Sequence, residues 1–355
     1  MIRVAIAAAL FVALCAVLAT AFGVGILTYV LTGFAVGSIV VVAAMGLTLI
    51  YGIRGFANFA YGDLMTLGAY SALIVNLLGG FALIWGAIVS FLVLALVGIF
   101  LELVIFSRLE GRGFVAPLVA SVGVGLIIQN GIRAIATTRQ WSFAFAGALD
   151  IPIVPGLGIH PTRHILTFSV GIAFVLSAHI LLKYTNLGKA MRATADNLEL
   201  AKATGIDTKR VRYAAWAVSC SFASTAGVLL GVNAVISPTM GFDVILLIFA
   251  AVIVGGIGSP YGAMIGGLVV GLSQEMSVPL LDWLGRSNVL GLEHATAYKV
   301  AVPFLIMIGV LLLRPWGIAG RQPAFAPRVF FLERLFRVRA SQPPVEKAGE
   351  NARGG

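Results

Sequence analysis

Four carboxylates stand inside or at the edge of long apolar runs: Asp63, Glu102, Asp243 and Glu275. In hydrocarbon a charge is costly unless it is paired or faces water, so such residues mark ion pairs, cation relays or the lining of a polar path. Asp63 shares the stretch Tyr51-Gly52-Ile53-Arg54-Gly55-Phe56-Ala57-Asn58-Phe59-Ala60-Tyr61-Gly62-Asp63 with two further polar side chains. Asn58, Tyr61 and Asp63 are therefore candidates for lining or gating a substrate path. Glu275 lies deepest in its run and is either a path carboxylate or a packed polar contact between helices. Plainer roles stay open for the rest: Asp63 as a cap of the helix that follows, Glu102 snorkelling toward Arg108, and Asp243 at the start of its span.

Other chemistry lacks its parts. His160 and His164 are separated by Pro161 among others and joined by no Glu or Cys, so they read as loop histidines rather than a zinc site. Gly188-Lys189 is followed by Ala190 instead of Ser or Thr, and Lys183 occupies the place of the first phosphate-loop glycine. The chain is expected to hold no metal and no nucleotide of its own. With no nucleophile constellation either, it is expected not to be an enzyme. Cys15 and Cys220 both fall in apolar runs, where a free cysteine serves as a small hydrophobe.

The most informative polar segment runs Leu187-Gly188-Lys189-Ala190-Met191-Arg192-Ala193-Thr194-Ala195-Asp196-Asn197-Leu198-Glu199-Leu200-Ala201-Lys202-Ala203-Thr204-Gly205-Ile206. Asp196 with Glu199 three residues on resembles a capping box, and Gly205 suits a left-handed stop. Between them lies a helix of about two turns, too short to persist alone in water. It must lean on its own membrane domain or on a partner protein.

The elements that position these residues are transmembrane helices. Of 355 residues 60% are hydrophobic and 11% charged, too little polar surface for a water-soluble globule. Apolar windows long enough to cross a bilayer fall near 2–22, 33–52, 57–78, 81–106, 113–133, 163–183, 213–236, 242–258, 261–281 and 297–313. The fold expected is an all-α integral membrane protein of about ten spans with glycine-broken segments. Residues 2–22 also fit a signal peptide, with Ala19-Thr20-Ala21 at a cleavage-like position, but the run is long enough to span and is read as uncleaved.

The net charge of +10 sits mainly in loops that parity assigns to one side: Arg3, Arg54, Arg108, Arg112, the Lys183–Arg212 segment and the tail from Arg314. That is the positive-inside bias, with both termini cytoplasmic, and not a nucleic-acid patch. Loops 134–162 and 282–296 then face the other side.

The glycine-rich stretch Gly255-Gly256-Ile257-Gly258-Ser259-Pro260-Tyr261-Gly262 matches the earlier broken one, so each half carries one. Irregular backbone in a membrane requires surrounding protein or a water-lined cavity. A break in each half points to a substrate path, making Gly256 and Gly258 candidates, although no residue-level repeat is visible. Gly258, Gly262 and Gly266, then Gly267 and Gly271, and Gly227 with Gly231, read as helix-packing seams. In the tail, Phe330, Phe331, Leu335 and Phe336 alternate with Arg328, Arg334, Arg337 and Arg339, a pattern for an anionic membrane surface or a solvated basic tail; a polar end follows from Ser341.

Glu199-Leu200-Ala201 followed by Gly205 resembles the Glu-Ala-Ala-x-x-x-Gly loop of ABC importer permeases, with Leu200 as a departure and without the Ile-x-Leu-Pro continuation. Lacking that continuation is usual in the branched-chain amino acid permeases. Those are also similar at Gly46-Leu47-Thr48-Leu49-Ile50-Tyr51-Gly52, at Asn58 to Asp63 and at Val254 to Ala263, and the likeness spans about residues 30–313. The resemblance implies that Asp196, Leu198, Glu199, Ala201 and Gly205 belong to a coupling helix, within a loop at 184–212, docked on a separate ATPase. It further implies a permease domain over 1–313 with a basic cytoplasmic tail at 314–355. Two ATP-binding cassette subunits, a second permease chain and an extracytoplasmic binding protein carrying branched-chain or other hydrophobic amino acids complete the expected inner-membrane assembly, with lipid around it and ATP held by the partners. The alternatives are a permease for urea, short amides or aromatic acids, and an ion-coupled secondary transporter using Asp63 and Glu275.

Overall fold

The computed structural model describes residues 26–143, 151–154, 157–159, 161–286 and 295–320. The expected first span, with Arg3 and Cys15, lies outside them, as do His160 and the tail from Arg321. The described chain is helical except for one short hairpin. Its helices are α1 (Ile26–Arg54), α2 (Tyr61–Leu78), α3 (Leu83–Val104), α4 (Val115–Ala136), α5 (Thr167–Tyr184), α6 (Asn186–Asp196) and α7 (Leu198–Ala203). After these come α8 (Thr208–Asn233), α9 (Met240–Gly255), α10 (Pro260–Met276), α11 (Val278–Arg286) and α12 (Ala301–Leu313). Strands β1 (Ile151–Val154) and β2 (Leu157–Ile159) pair antiparallel, Ile151 opposite Ile159, in the loop expected between two spans.

Among the described residues seven helical segments are long and apolar enough to cross a membrane. Each expected window from 33–52 onward contains a helix. Two of these helices, α2 and α9, fall outside the seven; α9 has only 16 residues. A helix satisfies its backbone groups within its own segment, as lipid requires of so apolar a chain. The window at 261–281 is not one straight rod, because α10 ends at Met276 and α11 restarts at Val278.

Helix α1 is the axis of the bundle. Of its most apolar stretch 89% is buried, against 6% for the segment ending in α12, and it packs against α5, α8, α9 and α10. Close approach is made by glycine where α1 meets α10: a side chain at Gly271 would collide with the backbone of Gly37, and one at Gly267 with Val41. Gly227 of α8 likewise abuts the backbone of Met65, and Gly262 and Gly266 abut α9. These are the packing seams expected from the small-residue spacing. Gly258 is not part of one; nothing lies within 4 Å of where its side chain would be, and its φ of +80° marks a turn.

The bundle has two chemically distinct ends. One gathers Arg54, the turn at 105–113, α6, α7, the start of α8 and the glycine turn after α9. The other gathers the ends of α2 and α8, the Trp141–Ile236 backbone bridge, and Thr32 beside His164.

Candidate functional site

The segment expected to do mechanical work is two helices joined by one residue. Thr185 caps α6 by accepting from the Gly188 N–H at 3.0 Å. Asn197 caps α7 by accepting from the Leu200 N–H at 3.0 Å. The capping-box reading placed the start at Asp196; Asp196 is instead the last residue of α6, and Asn197, in extended backbone, is the cap. A carboxamide one residue later competes equally well for the free N–H groups, and spacing alone does not choose between them. Glu199 does not reach back; its carboxylate pairs with Lys202 at 3.3 Å.

The C-terminal stop is as the sequence predicts. Gly205 has φ +84°, its N–H donates to Lys202 O at 3.0 Å, and the Ile206 N–H donates to Ala201 O at 3.1 Å, the paired bonds of a Schellman turn. Asp207 then caps α8 through the N–H groups of Lys209 and Arg210. Ala201 is buried and Leu198 half-buried, while Glu199 and Leu200 are exposed, Leu200 at 62%. This short helix thus rests one face on the bundle and offers an apolar side chain outward.

Beneath it lies an ion cluster. Glu102, wholly buried, is reached by Arg54 Nη2 at 3.2 Å and by Arg212 Nε at 3.3 Å, and Arg212 Nη1 donates to Glu110 Oε1 at 2.8 Å. Glu102 therefore does not snorkel toward Arg108. Its helix points it inward between α1 and α8, where two guanidinium groups offset the cost of burying it. A cavity of about 200 Å³ separates this cluster from α7, lined by Arg54, Phe56, Phe106, Glu110, Leu198 and Arg212 among others. Phe106 stacks between Phe56 and Trp216, centroids 5.3 Å and 4.5 Å away. The sequence reading missed Arg54, Glu110, Arg212 and Asn197 as a set. The pairs join residues far apart in the chain, Arg54 with Glu102 and Arg212 with Glu102 and Glu110, and spacing along the sequence does not show them.

The residues expected along a path are spread over the bundle. Asn58 and Tyr61 are fully buried. Asn58 Oδ1 accepts from the Ala60 N–H at 3.1 Å, Tyr61 donates to Ser219 O at 3.3 Å, and Ser219 donates to Gly46 O at 2.5 Å. The broken segment at 55–60 starts at the exposed Gly55 and turns inward, with Phe56, Asn58 and Ala60 buried; the Phe59 N–H donates to Ser121 of α4. Asp63 lies in the first turn of α2, makes no cap bond there, and faces Gly125 of α4. The turn with Gly256, φ +111°, and Gly258 sits at the end that carries α6, packed on Trp316 and Gly320. Glu275 is buried at the other end and accepts from Lys299 at 2.9 Å. The fold therefore joins Asn58, Tyr61 and Asp63, but not Gly256, Gly258 or Glu275, to one neighbourhood. Among the described residues no group of three or more metal-ligating side chains occurs.

Residues 29–311 match the family model described as the permease component of branched-chain amino acid transport systems. The high-affinity branched-chain amino acid transport system permease protein LivH of Escherichia coli (strain K12) is 31% identical over 308 residues, covering 81% of this chain and 94% of LivH. BraD of Pseudomonas aeruginosa, a permease protein of the same description, is 30% identical over 312 residues, 83% of this chain and 96% of BraD. LivM of Escherichia coli (strain K12) is 25% identical over 264 residues, 67% of this chain and 61% of LivM. No solved structure matches the chain significantly.

Proposed function

The chain belongs to the family of branched-chain amino acid transport system permease components, a membrane permease and not an enzyme, and from that premise we propose that it is the translocating subunit of an ATP-driven importer. Its cargo is a branched-chain or other hydrophobic amino acid, delivered by an extracytoplasmic binding protein. Residues 1–313 form the permease domain, with about ten spans in a cell inner membrane, and 314–355 a basic tail. The end carrying α6 and α7 faces the cytoplasm, as do both termini, because the basic loops gather there.

Energy enters at α7. Two ATP-binding cassette subunits hold the nucleotide, and one of them receives the exposed face of Leu198–Ala203. The observation that carries this reading is the double cap: Asn197 and Gly205 close both ends of a helix too short to stand alone, and Leu200 is left exposed. A push on α7 bears on the cavity and the Glu102 ion cluster that joins α1, α3 and α8. Greater similarity to LivH and BraD than to LivM supports pairing with a second, different permease chain. Asn58, Tyr61 and Asp63 border the path of the cargo, with Gly256, Gly258 and Glu275 assigned to its two ends.

The importer reconstituted in vesicles with its ATPases and binding protein tests the coupling role. Gly205→Pro and Glu199→Arg are expected to reduce ATP-dependent leucine uptake to background while the permease remains in the membrane. Normal uptake by both variants rejects the assignment.

A further inference from the structure

The cavity of about 200 Å³ beneath α7 carries charge and hydrocarbon in one wall. Arg54, Arg212 and Glu110 line it, and so do Phe56, Phe106, Leu109 and Leu198. The side chains of Arg54 and Arg212 are 9% and 6% exposed, that of Glu110 40%. Arg54 meets Glu102 through Nη2, and its buried Nε has no hydrogen-bond partner. A buried donor left unmet is costly, so an acceptor inside the cavity is favoured.

The charges around the cavity balance, Arg54 and Arg212 against Glu102 and Glu110. A lone anion meets two guanidinium groups but also two carboxylates, and a lone cation meets the reverse. A dipolar molecule satisfies both signs and leaves no net charge behind. The aromatic and aliphatic part of the wall adds an apolar side chain to the requirement. The volume suits a small metabolite and is below the about 300–1,000 Å³ of sites for drug-sized ligands. Open space adjoins it at the turn after Leu109: Gly111 and Gly113, with φ of +81° and +74°, line the cavity, and nothing lies within 4 Å of where their side chains would be.

We propose that this cavity binds a free aliphatic amino acid, its carboxylate toward Arg54 and Arg212, its ammonium toward Glu110 and its side chain against Phe56, Phe106 and Leu109. The inference rests on the reading of the chain as an amino acid permease whose α7 end faces the cytoplasm. Leu198 of α7 is part of the wall, so an occupant props α7 and resists a push toward the ion cluster. Cargo that accumulates on this side then slows its own import.

The test is the initial rate of radiolabelled leucine uptake by the assembled importer, with its ATPases and binding protein, in phosphatidylcholine vesicles that hold ATP, with or without unlabelled leucine inside. Phosphatidylcholine has no free ammonium, so a lipid headgroup does not stand in for the ligand. Each variant is compared with its own rate in vesicles without internal leucine. Internal leucine is expected to lower the wild-type rate severalfold, and 4-methylpentanoate, which is leucine without its ammonium, to leave it unaltered. Leu109→Trp, which fills the cavity, is expected to abolish the effect, and Glu110→Gln to raise the internal leucine needed for it about tenfold or more. A wild-type rate indifferent to internal leucine overturns the proposal. So does equal slowing by 4-methylpentanoate, or full slowing by leucine in Leu109→Trp, since the ligand then acts elsewhere. If Leu109→Trp fails to assemble, Glu110→Gln decides: an unshifted leucine requirement overturns the site and a raised one supports it. A wild-type importer that takes up no branched-chain amino acid even without internal leucine overturns the permease reading itself, whereas uptake that ignores internal leucine overturns the site alone.

Discussion

Glu102 shows how a single charge is made tolerable in a lipid-facing helix. Two guanidinium groups from helices far apart in sequence converge on it, and Glu110 offsets the surplus positive charge. Glu102→Gln leaves Arg54 and Arg212 buried without their main counter-charge, and is expected to cost about 3–5 kcal/mol. A fall in the thermal unfolding midpoint of the detergent-solubilised protein checks this; an unchanged midpoint means the cluster contributes no stability. Tyr61 is a different case. Its hydroxyl fills the space beside Gly46 that any side chain there would need, so a residue marked by sequence as a path candidate also locks α2 to α1 and α8.

At the scale of the element, α7 depends on its ends more than its middle. Six residues form too few internal hydrogen bonds to offset the entropy of ordering them, so Asn197 and the Gly205 turn hold the helix in place. Asn197→Ala removes one cap bond, a loss of about 1 kcal/mol. For so short a helix that loss is expected to appear as faster amide hydrogen exchange across residues 198–203, with α8 unchanged because Asp207 caps it independently. Equal exchange in both proteins shows that contact with the bundle, through Ala201 and Leu198, suffices without the cap.

The whole molecule is organised by how closely α1 is approached. Where α10 crosses it, glycines face glycines, and Gly271→Ala puts a methyl group into the backbone of Gly37. Overpacking of this kind costs about 1–3 kcal/mol, more where both neighbours are main chain and nothing can turn aside. Gly271→Ala is expected to reduce accumulation of folded protein in the membrane, whereas Gly309→Ala on α12, with nothing within 4 Å, is expected to leave it unchanged. Comparing the two by size-exclusion chromatography separates the seam from a general cost of replacing helical glycine. The buried axis also accounts for the many exposed large apolar residues on α3, α4, α5 and α12: in a membrane permease they face lipid rather than water.

What the sequence by itself determined is the part that depends on neighbours along the chain. Apolar runs of helical length located the helices from 33–52 onward, the left-handed stop at Gly205 was readable from its residue type, and motif order carried the family. Tertiary structure alone decided which charges meet. Glu102 finds Arg54 and Arg212 instead of nearby Arg108, and Glu275 finds Lys299, because helix packing sets distances between residues far apart in the chain and spacing carries no trace of them. For the same reason the two glycine-broken segments, alike in sequence, take different forms: 55–60 turns inward from the exposed Gly55 to the buried Asn58 and Ala60, and 256–259 is a turn whose Gly256 packs on Trp316 and Gly320.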